Sequence, residues 1–362
     1  RALTNQAAGA TQLEWYWKSR SASTPQERQA VDRIWKKMFR YQHDLPDIHG
    51  LMRELRALSD DYPGTMLVGE TDMLSYYGTG QDELHMVFNF PLMQPDTLTA
   101  GSVALNQKQR LSAIPHGAWP GNTLGNHDTS RVASHFGDGL HNAAFSRLSL
   151  ALMLTLKGTP FLYNGEEIGM TDLLLDNLDD FRDELGKWVY GIEVDEFGTS
   201  PATALAYAAR AGRDKTRTPM QWADAPHAGF CPPQVQPWLP INPNYREGLN
   251  VQEQDGDPDS LLTFYRQLLR IRRQLPALRH GEYTPVSFAD EGYLAFLRTS
   301  PEDHQSLLVL LNWSDQAFKI SLDIGFQKAR VKFSSLAVEN SMEDLSSLEI
   351  SPFEITIAEL QP

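Results

Sequence analysis

Two carboxylic acids of this chain stand directly after short apolar runs, at positions where a buried strand would end. Glu70 closes the run at 65–70, which follows a Pro-Gly turn, and Asp128 closes the segment 119–128. Cleavage of a glycosidic bond needs one carboxyl group to protonate the leaving oxygen and further carboxylate charge to stabilise an oxocarbenium-like transition state. Glu70 and Asp128 are therefore candidates for these roles. The structural alternatives are a salt bridge for Glu70 and a helix cap for Asp128.

Two basic residues accompany Asp128. His127 precedes it and could donate a hydrogen bond to a sugar hydroxyl, although a lone histidine is more often a core residue. A function for His127 therefore depends on a function for Asp128. For Arg131 the favoured interpretation is a helix-surface or carboxylate-pairing arginine.

Short apolar runs alternate with helical patterns along most of the chain. The predicted strands are 65–70, 85–90, 119–124 and 158–163, and the predicted helices are two between 24 and 61, then 101–113, 142–156 and 259–275. This alternation indicates parallel β/α units, and polar groups at three strand ends predict a (β/α)8 barrel. A doubly wound sheet is the main rival. It is disfavoured because no glycine-rich phosphate loop follows a strand.

Two regions differ from this alternation of strand and helix patterns. Residues 171–257 are rich in Pro, Gly, Asp and Asn and weakly periodic, which predicts an elaborated loop carried on the barrel. After residue 278, short apolar runs separated by turn residues predict a small antiparallel β domain. The expected domains are therefore 1–279 for the catalytic barrel part and 280–362 for the C-terminal β domain.

Composition excludes several classes of function. The 362 residues carry a formal net charge of −14, which disfavours nucleic acid and anionic membranes as partners and suits a neutral sugar. The only cysteine is Cys231, so neither an internal disulfide nor a cysteine–histidine metal site is available. No apolar run reaches ~18 residues, and the first six residues have no signal-peptide pattern. A cytoplasmic protein without a metal ligand set is expected.

Four motifs, in order along the chain, resemble those of glycoside hydrolase family 13, the α-amylase superfamily. Within it they are most similar to the oligo-1,6-glucosidase and α-glucosidase group. They read LVGE at 67–70, GNHD at 125–128, GTPFLYNGEEIGM at 158–170 and RTPMQW at 217–222. Residues 45–49 also resemble the run before the family's fourth helix. For the last motif, a rigid turn around Pro219 is the structural alternative.

The resemblance implies roles for individual residues. Glu70 matches the acid/base glutamate of strand five, and Asp128 matches the strand-seven aspartate that stabilises the transition state. His127 and Arg217 match residues that hold the glucose at the cleavage subsite. Asn164 stands where glutamine is commoner. The two glutamates that follow, at 166 and 167, are expected to support the loop through a basic partner rather than to touch substrate.

The family's nucleophile, an aspartate on strand four, has no match before Glu70. The Phe-Arg-Asp at 181–183 is rejected because it lies after strand eight. The expectation is that the chain is the second half of a (β/α)8 TIM barrel followed by a C-terminal antiparallel β-sandwich, with ~180 to 200 residues of the protein absent. The missing N-terminal part is then an expected partner. No cofactor is expected, and a family calcium site would lie in that part.

The predicted function is that of a retaining α-glucosidase that removes terminal α-linked glucose from maltose- or isomaltose-type oligosaccharides. Without the nucleophile strand, the chain alone is expected to be inactive. A trehalose synthase or sucrose isomerase of the same family is the first alternative. The second is a non-catalytic relative that acts in binding, such as the heavy subunit of amino-acid transporters. Retention of Glu70, His127, Asp128 and Arg217 together favours an enzyme.

Overall fold

The computed structural model describes residues 6–42, 45–286, 292–336 and 340–361. The first five residues, part of the segment without a signal-peptide pattern, lie outside the described residues. The helices are α1 (Gln6–Ser21), α2 (Pro25–Met38), α3 (Ile48–Asp60), α4 (Ala100–Ala113), α5 (Val132–His135), α6 (Asn142–Thr155), α7 (Glu184–Asp195), α8 (Pro201–Ala211), α9 (Val251–Asp255), α10 (Leu261–Gln274) and α11 (Pro276–His280). The strands are β1 (Val68–Gly69), β2 (Met86–Val87), β3 (Gly121–Thr123), β4 (Thr159–Phe161), β5 (Glu282–Pro285), β6 (Tyr293–Ser300), β7 (Gln305–Asn312), β8 (Phe318–Ile320), β9 (Lys328–Ser334), β10 (Met342–Asp344), β11 (Leu348–Ile350) and β12 (Ile355–Gln361).

The first four strands are short and parallel. β1 pairs with β2 and β3 pairs with β4, while a parallel bridge between Phe88 and Gly121 joins the two pairs. Parallel neighbours need a crossover, and α4 and α6 lie between β2 and β3 and between β3 and β4. The predicted β/α units therefore fold as expected, and the carboxyl ends of all four strands point the same way.

Helix α6 is the central element behind these strands. Every residue from 148 to 155 is buried, as the leucine-rich sequence of this helix predicts. Arg272 donates to the carbonyls of Leu154 (2.6 Å) and Gly158 (2.9 Å), and Arg298 donates to Gly281 (2.8 Å) and to the carbonyl of Thr155. Cations suit a helix C-terminus, where carbonyl groups lack helical partners. The two arginines thus fix the level at which β4 begins.

The C-terminal part is an antiparallel sheet of six strands in the order β10-β9-β12-β7-β6-β5. One face packs on α6 and α10 through a large apolar cluster. The other face packs with the two-stranded sheet of β8 and β11, through a second cluster that includes Leu308, Leu310 and Ile350. The nearly continuous apolar run of the central strand β7 explains why both of its faces are buried. This part agrees with the predicted antiparallel β domain.

One expectation for the chain was wrong, and one helix was not predicted. The segment 171–257, predicted as a loop, contains α7, α8 and α9. Asp183 and Ser200 cap the first two of these helices, but their apolar residues are small or shared between faces, so no clear periodicity marks them. The N-terminal polar stretch contains α1, for which no helix was predicted. Its Tyr16 donates a 2.8 Å hydrogen bond to the buried Glu193 of α7.

In the part of the chain that the structure describes, no helix combines the length and apolar character needed to cross a bilayer.

Candidate active site

The carboxyl ends of β1 and β3 bring three candidate residues together. Glu70 directly follows β1, and His127 and Asp128 lie in the turn after β3. One side-chain atom from each of the three lies within 4.8 Å of the other two. The structure therefore places the two predicted carboxylates and the predicted histidine in one exposed cluster.

The backbone around Asp128 explains why its side chain points into the cluster. Asn126 Oδ1 accepts the backbone N–H of Asp128 at 2.8 Å, which closes a tight turn directly after β3. Asp128 does not cap the next helix, because α5 starts at Val132 and has Arg131 as its N-cap residue. The helix-cap alternative for Asp128 is therefore wrong. Among the described residues, Glu70 forms no ion pair, so the salt-bridge alternative has no support there.

Arg217 joins the cluster, as the resemblance implies. Its Nη2 lies 2.6 Å from Asp128 Oδ1, and its Nε donates to the carbonyl of His127 at 2.9 Å. The ring nitrogen Nε2 of His127 lies 3.4 Å from the same Oδ1. Guanidinium–carboxylate contacts of this kind are strong and directional. Asp128 is therefore fixed in position by these contacts.

A second arginine, which sequence reasoning missed, reaches the same carboxylate. Arg213 Nη1 lies 3.4 Å from Asp128 Oδ1, while its Nη2 lies 2.8 Å from Asp183 Oδ1. Asp183 is the aspartate rejected as a nucleophile on sequence order. Burial alone would raise the pKa of Asp183, but hydrogen bonds from Arg213 lower it to about 2. The only feature of the sequence that could have indicated this role for Arg213 is its position four residues before Arg217.

The RTPMQW motif at 217–222 is held by buried side chains rather than by its proline alone. Met220 and Gln221 are buried, and the Gln221 side chain donates to Leu249 O at 2.7 Å. Trp238 donates from Nε1 to the carbonyl of Arg217 at 2.9 Å. The rigid-turn alternative is therefore insufficient on its own, because this turn delivers Arg217 to the carboxylate cluster.

The surface beside the cluster is an open trough over the inner faces of the parallel strands. Its apolar lining, next to Glu70 and His127, consists of Val68, Phe88, Phe90, Phe161 and Leu162. Phe88 packs edge-on against Phe161 with ring centroids 4.7 Å apart. Such a surface suits an apolar sugar face, while the polar cluster provides hydrogen bonds at one end.

The chain matches a known protein family. The family model described as "Alpha amylase, catalytic domain" matches residues 13–281 of the chain, and thus both strand ends and both arginines. The chain belongs to the α-amylase family. The solved structures that it matches are (β/α)-barrel enzymes of this family, and the described residues contribute four short parallel strands and a C-terminal antiparallel sheet.

Relatives within the α-amylase family include glucosidases and trehalulose and isomaltulose synthases. The chain is 30% identical to the oligo-1,6-glucosidase of Bacillus cereus over 87% of its length, and 30% identical to that of Parageobacillus thermoglucosidasius over 89%. It covers 59% and 60% of these two proteins, so it spans about six-tenths of their length. Among solved structures, the trehalulose synthase from Pseudomonas mesoacidophila MX-45 aligns with a TM-score of 0.77 at 27% identity, covering 93% of this chain and 69% of that one.

The cluster of Glu70, His127 and Asp128 is electrostatically unfavourable for a metal ion. The atoms of Glu70, His127 and Asp128 are close enough to bind one metal ion. The guanidinium of Arg217, however, already occupies Asp128 Oδ1 at 2.6 Å, and Arg213 approaches the same atom. A divalent ion there would meet two positive charges. The expectation that the site contains no metal ligand set remains a prediction.

Arg131 is not on the surface, contrary to the sequence interpretation. It is only 2% exposed, and its Nη1 donates to the carbonyl of Asn164 at 2.9 Å. Its backbone N–H donates to Asp172 Oδ1 at 2.8 Å, and its guanidinium lies over the ring of Tyr163. Arg131 therefore ties the loop after β3 to the loop after β4.

The two glutamates of the loop after β4 differ in environment. Glu167 accepts the backbone N–H of Gly165 at 2.8 Å and so supports the loop. Glu166 is buried, and its Oε1, which has no hydrogen-bond partner among the described residues, packs against Gly125. Burial raises the pKa of Glu166 to about 8. A neutral carboxylic acid therefore sits directly behind the GNHD turn.

Replacing Glu166 by Gln tests this assignment through stability. The folded protein keeps the Glu166 proton up to about pH 8, whereas the unfolded chain releases it near pH 4.5. Because the folded state binds more protons in this window, the free energy of unfolding falls as pH rises through it. The E166Q variant lacks this loss, so at pH 8.5 it should gain on the order of 3 kcal/mol over the wild type relative to pH 5. Chemical denaturation at the two pH values measures the difference.

The matched control is E247Q, which changes an exposed glutamate. Its stability relative to the wild type should be the same at pH 5 and pH 8.5. An E166Q profile parallel to that of the wild type would show that Glu166 ionises normally and is not neutral in the folded protein.

Proposed function

We propose that this chain carries the acid/base part of an α-glucosidase site that hydrolyses terminal α-linked glucose in oligosaccharides. The observation that supports this most strongly is the cluster of Glu70, His127 and Asp128 within 4.8 Å, with Arg217 on Asp128. The oligo-1,6-glucosidases that this chain resembles belong to the same family as the chain. A net charge of −14 suits a neutral sugar substrate.

In this proposal Glu70 protonates the leaving glycosidic oxygen and later takes a proton from the attacking water. It is exposed at the end of β1 and carries no ion pair among the described residues, so it is free to exchange protons with substrate. His127 and Arg217 hold the glucose through hydrogen bonds to its hydroxyl groups. No cofactor is needed for this chemistry, because it consists of proton transfer and charge stabilisation.

Asp128 acts in this account as an electrostatic group rather than as the nucleophile. A separation below 5 Å from Glu70 resembles the carboxylate spacing of a retaining pair, so distance alone would allow Asp128 to attack the anomeric carbon. Arg217 and Arg213 both approach Oδ1, however, and paired cations lower the nucleophilicity of a carboxylate. Its negative charge remains available to stabilise the oxocarbenium-like transition state.

The nucleophile is then a third carboxylate. Among the described residues, the cluster within 4.8 Å includes only the carboxyl groups of Glu70 and Asp128. We therefore propose that an aspartate from a further β/α segment, beyond the described residues, completes the site. We call this chain together with such a segment the assembled enzyme. Double displacement in it would retain the anomeric configuration.

A sucrose isomerase is the second candidate, because trehalulose and isomaltulose synthases are among the solved structures that the chain matches. The two activities differ in whether water or a sugar hydroxyl resolves the glycosyl intermediate. Chromatography of products from isomaltose, maltose and sucrose separates them. The assembled enzyme should release free glucose from isomaltose or maltose. Conversion of sucrose mainly to an isomeric disaccharide would instead establish the isomerase, and absence of any product would favour a binding protein.

A further inference from the structure

A small cavity lies where α5, α6 and the loop after β4 meet. Its volume is about 10 Å³, which is enough for one water molecule. Most of the residues that line it are apolar, among them Leu124 and Met153. Three residues of the lining carry a side-chain oxygen, namely Ser146 and Ser149 of α6 and Glu166 of the loop. The cavity is therefore small and has a polar side.

Two of these oxygens are buried and lack a partner in the protein. Ser149 is 3% exposed and Glu166 is 8% exposed. Neither Ser149 Oγ nor Glu166 Oε1 has a hydrogen-bond partner among the described residues. A buried polar atom without a hydrogen bond is costly, and native proteins contain few of them. Two such atoms on residues that line one cavity indicate that they share a partner inside it.

The position of Ser149 within α6 supports this interpretation. A serine or threonine inside a helix often donates back to a carbonyl of the preceding turn. Thr155 of the same helix does so, with its Oγ1 2.7 Å from the carbonyl oxygen of Ala151. Ser149 forms no such bond among the described residues. Its hydroxyl group can therefore donate into the cavity that it lines.

Glu166 contributes the oxygen of a neutral acid. Burial raises the pKa of Glu166 to about 8, so its carboxyl group is protonated at neutral pH. A protonated carboxyl group can both donate and accept a hydrogen bond. Arg131 and Glu167 act on Glu166 electrostatically, but neither forms a hydrogen bond with Oε1. The two unpaired groups can thus each bond to a molecule that both donates and accepts.

We propose that this cavity binds one buried water molecule, which bridges Glu166 Oε1 and Ser149 Oγ and joins the loop after β4 to α6. Ser146 stands three residues before Ser149 on the same side of the helix and also lines the cavity. It offers the third contact that buried waters typically make. The proposal does not depend on which reaction the site catalyses.

Water suits this cavity better than an ion does. A calcium ion takes about six to eight oxygen ligands, whereas only three residues of the lining carry side-chain oxygens. The positive charge of Arg131 close to Glu166 also disfavours a cation. A purely apolar cavity of this kind would stay dry, but the buried oxygens of Ser149 and Glu166 favour hydration.

The bridge would support the turn that follows β3. Glu166 Oε1 packs so closely on Gly125 that a Cβ atom there would lie 2.5 Å from it. Gly125 begins the GNHD turn, which contains His127 and Asp128. The water molecule therefore holds the carboxyl group that backs this turn.

The first test counts long-lived water molecules in the full chain by oxygen-17 relaxation dispersion, which detects waters held for longer than the protein tumbles. S149V replaces the hydroxyl by methyl groups that fill the cavity, and E166M removes the carboxyl group with little change in size. We expect each variant to hold one long-lived water fewer than the wild type. The matched control is T155V, which removes a buried hydroxyl of α6 that already bonds to Ala151. Its count should equal that of the wild type.

A double-mutant cycle then tests whether the two oxygens share this water. S149V leaves Glu166 Oε1 unpaired and E166M leaves Ser149 Oγ unpaired, so each should raise the equilibrium constant of unfolding by about 10-fold. In S149V/E166M neither oxygen is left unpaired, so the combined effect should be at least about 5-fold smaller than the product of the single effects. E247M, at an exposed glutamate, should combine with S149V multiplicatively. Urea denaturation measures all of these constants.

Equal numbers of long-lived waters in the wild type and S149V, or in the wild type and E166M, would overturn the proposal. Multiplicative single effects in S149V/E166M would do so as well, because they would show that no water links the two oxygens. If S149V does not fold, the water counts of the wild type and E166M decide the question.

Discussion

Replacing Glu70 by Gln should lower the turnover of maltose by the assembled enzyme by about 10³-fold or more. Gln has the same shape but can neither protonate the leaving oxygen nor accept a proton from water. Glu70 stands at the end of β1 with no ion pair among the described residues, so the substitution should leave the fold intact. Steady-state kinetics on maltose and on an aryl α-glucoside with a good leaving group measure the effect.

The two substrates distinguish an acid from a structural residue. Glycosylation of the enzyme by the activated aryl substrate needs little protonation, so an early burst of aryl alcohol should survive in E70Q while maltose turnover is lost. E302Q, a change at an exposed turn far along the sequence, should be as active as the wild type. Full maltose activity in E70Q would rule out the acid/base role.

Replacing Asp128 by Asn should lower kcat by about 10² to 10³-fold, mainly through the transition state. The variant keeps a side chain of the same size but leaves Arg217 and Arg213 without the carboxylate between them. The guanidinium of Arg217 would then lack its carboxylate partner, Arg213 would keep only Asp183, and both cations would face a substrate that becomes positively charged as the bond breaks. Measurement of kcat and KM for maltose, with circular dichroism as a check on folding, tests this.

The kinetic parameter that changes in the D128N variant decides which role Asp128 has. A fall in kcat and in kcat/KM by similar factors indicates an interaction made in the transition state. A rise in KM at constant kcat would show that Asp128 only binds the ground state, which contradicts the role assigned to it. D224N, at an exposed aspartate, serves as the matched control.

Much of the site could be predicted from the sequence, because its main residues follow strands. Glu70 and Asp128 stand at the ends of short apolar runs, and the carboxyl ends of parallel strands meet on one face. Arg213 could not be assigned in the same way. Its contact with Asp128 depends on Asp183 and on α7 and α8, which lie in a segment without clear periodicity. The burial of Arg131 was missed because its partners are backbone atoms of a different loop.

Helix α3 could likewise be predicted from local sequence, whereas its surroundings in the fold could not. The spacing of Ile48, Leu51, Leu55 and Leu58 predicted α3 correctly, since periodicity reports which residues share a face. It does not report what covers that face. Leu51, Leu55 and Leu58 are exposed, whereas His49 and Arg53 of the same helix pair with the buried Glu83, which is distant in sequence. Long-range ion pairs of this kind leave no periodic signal.

We propose that this chain holds the acid/base and stabilising carboxylates of a glucosidase site whose nucleophile comes from another segment. The most direct test is hydrolysis of 4-nitrophenyl α-glucoside by the chain alone and by the chain mixed with a polypeptide that contains the part of the Bacillus cereus oligo-1,6-glucosidase that this chain does not cover. We expect no hydrolysis by the chain alone and hydrolysis by the mixture, and the E70Q substitution should abolish the latter. Hydrolysis by the chain alone that is lost in E70Q would contradict it, because the described residues would then contain the complete site.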